Sequence, residues 1–272
     1  AAPMTRSFEP VGLLLTLLCA LAGAGLARAD TPRIGAEDDW YPYTAWRDEQ
    51  IVGMSADIVR AAFASSETSI ELAAYPYSRC MELARSGALA ACFNTTPDSR
   101  IEEQFLLPEE MLFSDDILLW ARSAQATPLS GLEQLVGKRV AVTIGYEYGE
   151  RFDHNQQLVR VPVRQDRNGF LMLQRQRVDY VVAYRGIATH LFRQHPELAD
   201  QFSPVATVHQ PQLHLSFSRH AAQAADALQR FEQGMRLIQD NGRYQQILQD
   251  WQHGSADSAP PRYTAKSPVA TQ

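Results

Sequence analysis

The chain has 272 residues, of which 45% are hydrophobic and 21% charged. That balance is globular and excludes a fibrous or disordered chain, and the length suits one large or two medium domains. A net charge of −6 argues against phosphate-driven binding of nucleic acid, and three cysteines are too few for a disulfide-built scaffold.

The N-terminus opens with Arg6, then an apolar run from Val11 to Leu26, then Ala27-Arg28-Ala29. A basic start, a short apolar core and a small-x-small end predict a signal peptide over 1–29, cleaved after Ala29, and export to the periplasm. The run is short for a membrane span of about 20 residues. Cys80 and Cys92 then sit in an oxidising compartment, either as a disulfide or as two buried thiols; spacing does not choose between them.

Strands and helices alternate from there. Arg33 to Gly35 reads as a strand. Ser55 suits the cap of a helix with Ile58, Val59, Ala62 and Phe63 on one face. Ser69 to Ala73 is a strand, Cys80 to Ser86 a helix with Met81, Leu83 and Ala84 inward, ended by Gly87, and Ala88 to Phe93 a buried strand. A second set starts near Leu132: a strand over Arg139 to Thr143, a turn at Gly145, and a helix from about Glu147. Leu158 to Val163 is a strand, Asp166 caps the next helix, Val178 to Ala183 is a strand, and Gly186 to Phe192 a helix. Leu228, Phe231, Met235 and Ile238 share a helical face. Asn241-Gly242 breaks it, and Tyr244, Ile247, Leu248 and Trp251 repeat the period. Asp116 to Arg122 and His209 to Ser218 read as extended connections between the two sets. Residues 254–272, rich in Ser, Ala, Pro and Thr, read as a disordered tail.

No glycine-rich nucleotide loop and no nucleophile elbow is present. No histidine pair has metal spacing, and the acidic pairs Asp38-Asp39, Glu102-Glu103 and Asp115-Asp116 read as solvated surface or caps. No cofactor, metal or catalytic residue is therefore expected.

Chemistry concentrates beyond three strand ends, where open α/β sheets bind ligands. The first carries Trp40-Tyr41-Pro42-Tyr43, aromatic faces in a loop. The second runs Phe93-Asn94-Thr95-Thr96-Pro97-Asp98-Ser99-Arg100. Here Thr96 fits an N-cap and Pro97 the first helical position, and Arg100 can grip a carboxylate with parallel hydrogen bonds. The third, Gly145-Tyr146-Glu147-Tyr148-Gly149, lets backbone amides approach a ligand and can face Arg100 across a cleft.

Taken in order, these segments resemble the family 3 extracellular solute-binding proteins of ABC importers, from about Pro32 to Trp251. IGAEDDWYPYTAWRDEQIVGMSADIVRAAF, SGALAACFNTTPDSR, LVGKRVAVTIGYEYG and ALQRFEQGMRLIQDNGRYQQILQDW carry the resemblance. It implies a type II periplasmic-binding-protein fold: α/β, two lobes of mostly parallel sheet flanked by helices, and two hinge crossovers. Lobe one spans 32–118 plus 213–253 and lobe two 124–207. The resemblance also places the stacking aromatic on Trp40 with Tyr43 beside it. It puts the carboxylate-gripping arginine on Arg100, with Asn94 and Thr95 nearby. Pocket walls fall on Tyr75 and Phe93, a second cation on Arg79, and the lobe-two donor on Gly145-Tyr146. The family's amino-group aspartate is replaced by Tyr184, which leaves Glu147 as a substitute acid or a ligand without an α-amine.

The function so implied is capture of a small polar carboxylate-bearing solute, an amino acid or related organic acid, by a monomer that delivers it to an inner-membrane ABC permease. Two alternatives are a cyclohexadienyl-dehydratase-like enzyme with Glu147 as general acid, and a sensory or accessory binding module.

Overall fold

The computed structural model describes residues 31–252, so the expected signal peptide and tail lie outside the described residues. The opening strand Arg33–Glu37 is buried over its last four positions. A strand buried on both faces belongs in the middle of a sheet. It pairs in parallel with Glu71–Tyr75 on one side and Ala91–Thr95 on the other. Gln212–Ser218 adds to Ala91–Thr95 in the antiparallel sense, and the short strands Phe105–Leu106 and Phe113–Ser114 pair with it.

The second sheet repeats this plan. Arg139–Thr143 lies between Val159–Val163 and Tyr180–Tyr184, all parallel. Ile117–Arg122 runs antiparallel to Tyr180–Tyr184 and to Phe202–His209. The stretches expected as bare connections are therefore mostly strands, and the chain crosses between sheets only near Asp115-Asp116 and Gln210-Pro211. A separate hairpin sheet, Asp39–Trp40 with Thr44–Arg47 and Gln50–Val52, holds the first aromatic loop.

The helix Met54–Ser65 buries Ile58, Val59, Ala62 and Phe63, the face its periodicity predicts. It packs on the helix Ala224–Asp240, where Phe231, Met235 and Ile238 are buried. The two approach so closely at Gly234 that a Cβ there would stand 1.8 Å from the Ala62 carbonyl oxygen. Each large apolar side chain buried at this interface contributes about 1.5–3 kcal/mol.

Several helix starts differ from expectation. Ser55 is not a cap: Gly53 holds that position at φ 129, and Ser55 lies inside the helix. Asp98, not Thr96, caps the short helix Ser99–Gln104, accepting a hydrogen bond from the Ile101 amide at 2.7 Å. A carboxylate one residue before the first turn outcompetes a threonine two residues further back. Asp166 begins its helix without capping it; its carboxyl accepts a 2.9 Å bond from the Thr143 hydroxyl. The helix expected from Glu147 starts only at Glu150 and lasts one turn. Gly145 at φ 84 and Gly149 at φ 94 hold Tyr146, Glu147 and Tyr148 in a loop between them. The alternative left open for Cys80 and Cys92 resolves as a disulfide joining the helix Tyr77–Ser86 to the strand Ala91–Thr95.

Candidate functional site

The carboxyl ends of strands from both sheets converge. Glu37 ends the first strand, Asn94 and Thr95 end Ala91–Thr95, and Tyr184 ends Tyr180–Tyr184. The loop after Arg139–Thr143 adds Tyr146 and Glu147. Together with Trp40, Tyr77 and Thr96 they line a cavity between the sheets. It leaves only ≈ 10 Å³ for the centre of a water-sized sphere, about the room one water needs.

Most contacts that close this space join the two sheets. Glu147 is buried, and its carboxylate is divided between two partners from the first sheet's side. Oε1 accepts from Arg100 at 3.0 Å, and Oε2 accepts from the Tyr77 hydroxyl at 2.7 Å. The Tyr146 hydroxyl donates to Glu37. The Thr96 and Tyr184 hydroxyls share a hydrogen bond of 2.6 Å. Further out, the Ser99 amide donates to Glu150 at 3.2 Å, and Gln165 donates to Asp39. Gly145 approaches Ser78 so closely that a Cβ would stand 3.1 Å from the serine Cβ.

The aromatic rings are arranged edge to face. Tyr184 and Tyr146 present their edges to Trp40 at 5.0 and 6.1 Å between centroids, and Tyr77 meets Tyr146 at 5.6 Å. This geometry sets positive ring edges against negative ring faces. Tyr43 packs 4.9 Å from Trp40 one layer back, and its hydroxyl donates to Asp115 at 2.7 Å. Asp115 also accepts the Gly186 amide at 2.9 Å, so it is a buried hub near the crossover rather than solvated surface.

Two polar atoms on the wall lack a partner among the described residues: the Trp40 indole N–H and the Asn94 Oδ1. Asn94 sits at φ 58, and its Nδ2 is engaged by Thr44 at 3.0 Å. A buried donor and a buried acceptor left unpaired each cost free energy, about 1–3 kcal/mol.

Electrostatics favour protonated acids here. Burial pushes the Glu147 carboxyl up to about 7, against the Tyr77 and Arg100 hydrogen bonds that pull it down. Burial likewise raises Glu37 well above the carboxylate range, opposed by its Tyr146 bond. Arg100 remains 57% exposed and has a second carboxylate, Asp98, at 3.6 Å.

Of the residues named from sequence, Trp40, Asn94, Tyr146, Glu147 and Tyr184 line the cavity, and Arg100 reaches its edge through Glu147. Gly145 shapes the loop, and Tyr43 supports Trp40. Thr95 is buried behind Asn94 and contacts the Met81 sulfur at 3.6 Å. Three expected positions lie elsewhere. Phe93 is fully buried in the core, because neighbours of Asn94 in a strand point to the other face. Tyr75 packs against the disulfide cluster. Arg79 is an exposed surface residue bound to Glu82 at 2.7 Å, one helical turn away. Glu37, Tyr77 and Thr96 were not expected on the wall. Glu37 occupies a strand end and was findable by that rule. Tyr77 comes in because its helix begins three residues before Cys80.

A two-lobed fold with its polar and aromatic side chains gathered between the lobes defines a ligand-binding protein of the periplasmic-binding-protein class. The chain belongs to the bacterial extracellular solute-binding proteins, family 3, whose pattern matches residues 33–254. It is similar in structure to a histidine kinase sensor domain itself described as similar to periplasmic binding proteins. That match has a TM-score of 0.71 at 19% identity, covering 82% of this chain and 96% of that one. A P235GK mutant of the protein ArgBP from T. maritima matches with a TM-score of 0.69 at 18% identity, covering 82% and 95%. The GluR0 ligand-binding core from Nostoc punctiforme, solved with L-glutamate, matches with a TM-score of 0.67 at 15% identity, covering 81% and 98%. A search of curated proteins finds no match. Among the described residues no helix is long and apolar enough to cross a membrane.

Proposed function

We propose that this is an exported, periplasmic solute-binding protein that captures a small carboxylate-bearing solute of the amino-acid type between its lobes and hands it to an inner-membrane ABC permease. The observation that carries this reading is the pair of unpaired buried groups, Trp40 N–H and Asn94 Oδ1, on a cavity that both lobes build. A solute supplying one acceptor and one donor relieves both. Arg100 offers the guanidinium for its carboxylate, and the wall carries two carboxyls, Glu37 and Glu147, for positive charge. That balance favours an amino acid over an organic acid without nitrogen. The space is too small for such a solute until Tyr146–Glu37, Thr96–Tyr184 and Glu147–Arg100 part, so binding requires opening at the crossovers near Asp115 and Gln210.

Thermal-shift screening of amino acids and organic acids tests the reading. At a hundredfold excess over Kd, a true ligand adds about 2.7 kcal/mol of stability. Absence of any shift across both sets counts against it.

A second reading rests on Glu147 alone: a carboxyl buried in a cleft and poised to hold its proton at neutral pH can serve as a general acid for dehydration of a cyclic acid. Prephenate turnover that disappears in Glu147→Gln supports that reading; no turnover in the wild type removes it. The likeness to a sensor domain suggests that the outer lobe faces can also serve a receptor, and a receptor in place of the permease would leave the capture step as described.

A further inference from the structure

We propose that Glu147 selects for an α-amino group, by exchanging Arg100 for the ammonium of the incoming solute. This rests on the reading of the cavity as the solute site. In the structure Glu147 Oε1 lies on the Arg100 guanidinium at 3.0 Å, where a bound carboxylate would lie, while Oε2 is held by Tyr77 at 2.7 Å. A solute carboxylate seated on Arg100 displaces Oε1. Arg100 tolerates the exchange because the solute replaces the lost charge and Asp98 stays at 3.6 Å. Glu147 has less freedom. It is 6% exposed, and its Tyr77 bond anchors it in the cavity. A buried carboxylate that loses its cation needs another.

None of the other residues on the cavity wall is a cation: they are Glu37, Trp40, Tyr77, Asn94, Thr96, Tyr146 and Tyr184. The positive partner within reach is the solute's own ammonium. The strand end at Tyr184 offers no competing carboxylate, since its phenol is bonded to Thr96 at 2.6 Å. Glu37, the other acid on the wall, is held by Tyr146. In an α-amino acid the two charges are borne by groups on one carbon, so the residues that bind them must be neighbours. Arg100 and Glu147 are neighbours across the lobes.

The test is calorimetric titration of matched pairs that differ only in the α-amine: L-arginine with 5-guanidinopentanoate, L-glutamate with glutarate, and L-phenylalanine with 3-phenylpropionate. Wild type should prefer the amino acid of the bound pair by about tenfold or more. Glu147→Gln should bring that preference close to unity, weakening the amino acid and strengthening its des-amino partner, which no longer competes with an internal carboxylate. Glu147→Asp, which keeps the charge, should retain the preference, as should Glu37→Gln. Circular dichroism and the melting temperature verify folding, and Glu147→Ser replaces Glu147→Gln if the latter does not fold. A parallel loss of both partners in Glu147→Gln would mean a simple lobe latch and overturn the proposal while sparing the solute site. Collapse of the preference in Glu37→Gln would assign the amine to Glu37 instead. Failure of every pair to bind wild type would remove the solute reading and this proposal together.

Discussion

Arg100 and Glu147 come from different lobes and form a 3.0 Å ion pair in which the guanidinium is half in water and the carboxylate is buried. The asymmetry follows from their surroundings. Arg100 stands in the first turn of a six-residue helix at the cleft edge, while Glu147 is pinned between two left-handed glycines and tucked under Tyr77. A surface pair of this kind would contribute little. Here one member is desolvated, so the pair and its proton are linked to folding and to lobe closure.

The first prediction concerns pH. Glu147 is raised from 4.5 to about 7 and Asp166 from 3.8 to about 6, in both cases chiefly by burial. The folded state therefore binds more protons than the unfolded one between roughly pH 4 and 7. This contribution to stability is complete below the unfolded values and is lost as pH rises through about 6 and 7. For Glu147 it amounts to about 3 kcal/mol at most. The urea midpoint should be higher at pH 5 than at pH 8, and Glu147→Gln with Asp166→Asn should flatten that slope. An equal slope in the double variant would show that these two acids are not its source.

The second concerns the disulfide. Cys80 and Cys92 are separated by 12 residues, and closing a loop of that size stabilises by about 3 kcal/mol in the chain-entropy model. A Cys80→Ser, Cys92→Ser protein should melt about 10 °C lower than the oxidised wild type. Wild type treated with reductant should approach the same value, and the variant should not respond to reductant.

Much of this architecture was legible in the sequence, and the failures share a cause. Arg139–Thr143, the face of Met54–Ser65 and the break at Asn241-Gly242 were readable because period and punctuation agree there. Helix starts misled where several residues can cap: Thr96 gave way to Asp98, and Ser55 to Gly53, whose backbone passes so close to Tyr43 that a side chain has no room. The site was half legible. Trp40, Asn94, Arg100 and the Gly145 loop follow from motif order. Glu37 and Tyr77 acquire their role only from the opposite lobe, through Tyr146 and Glu147, and no local pattern announces a partner more than 60 residues away. Arg79 and Tyr75 were carried by motif position, but the helix they adjoin turns them to the surface and to the disulfide.

The third prediction concerns packing. Gly234 has no room for a side chain against Ala62. Gly234→Ala must push the helices Ala224–Asp240 and Met54–Ser65 apart, and overpacking of this kind costs about 1–3 kcal/mol despite the gain in helix propensity. Chemical denaturation should give a lower midpoint with an unchanged slope. A midpoint at or above wild type would contradict the packing described.

The central claim is that a solute carboxylate is gripped by Arg100 between the lobes. Titration calorimetry of the best-stabilising amino acid against wild type and Arg100→Ala measures it directly. The account predicts one site per chain in wild type and an affinity at least about thirtyfold weaker in Arg100→Ala, with the variant folded. Equal affinity in the two proteins would contradict it.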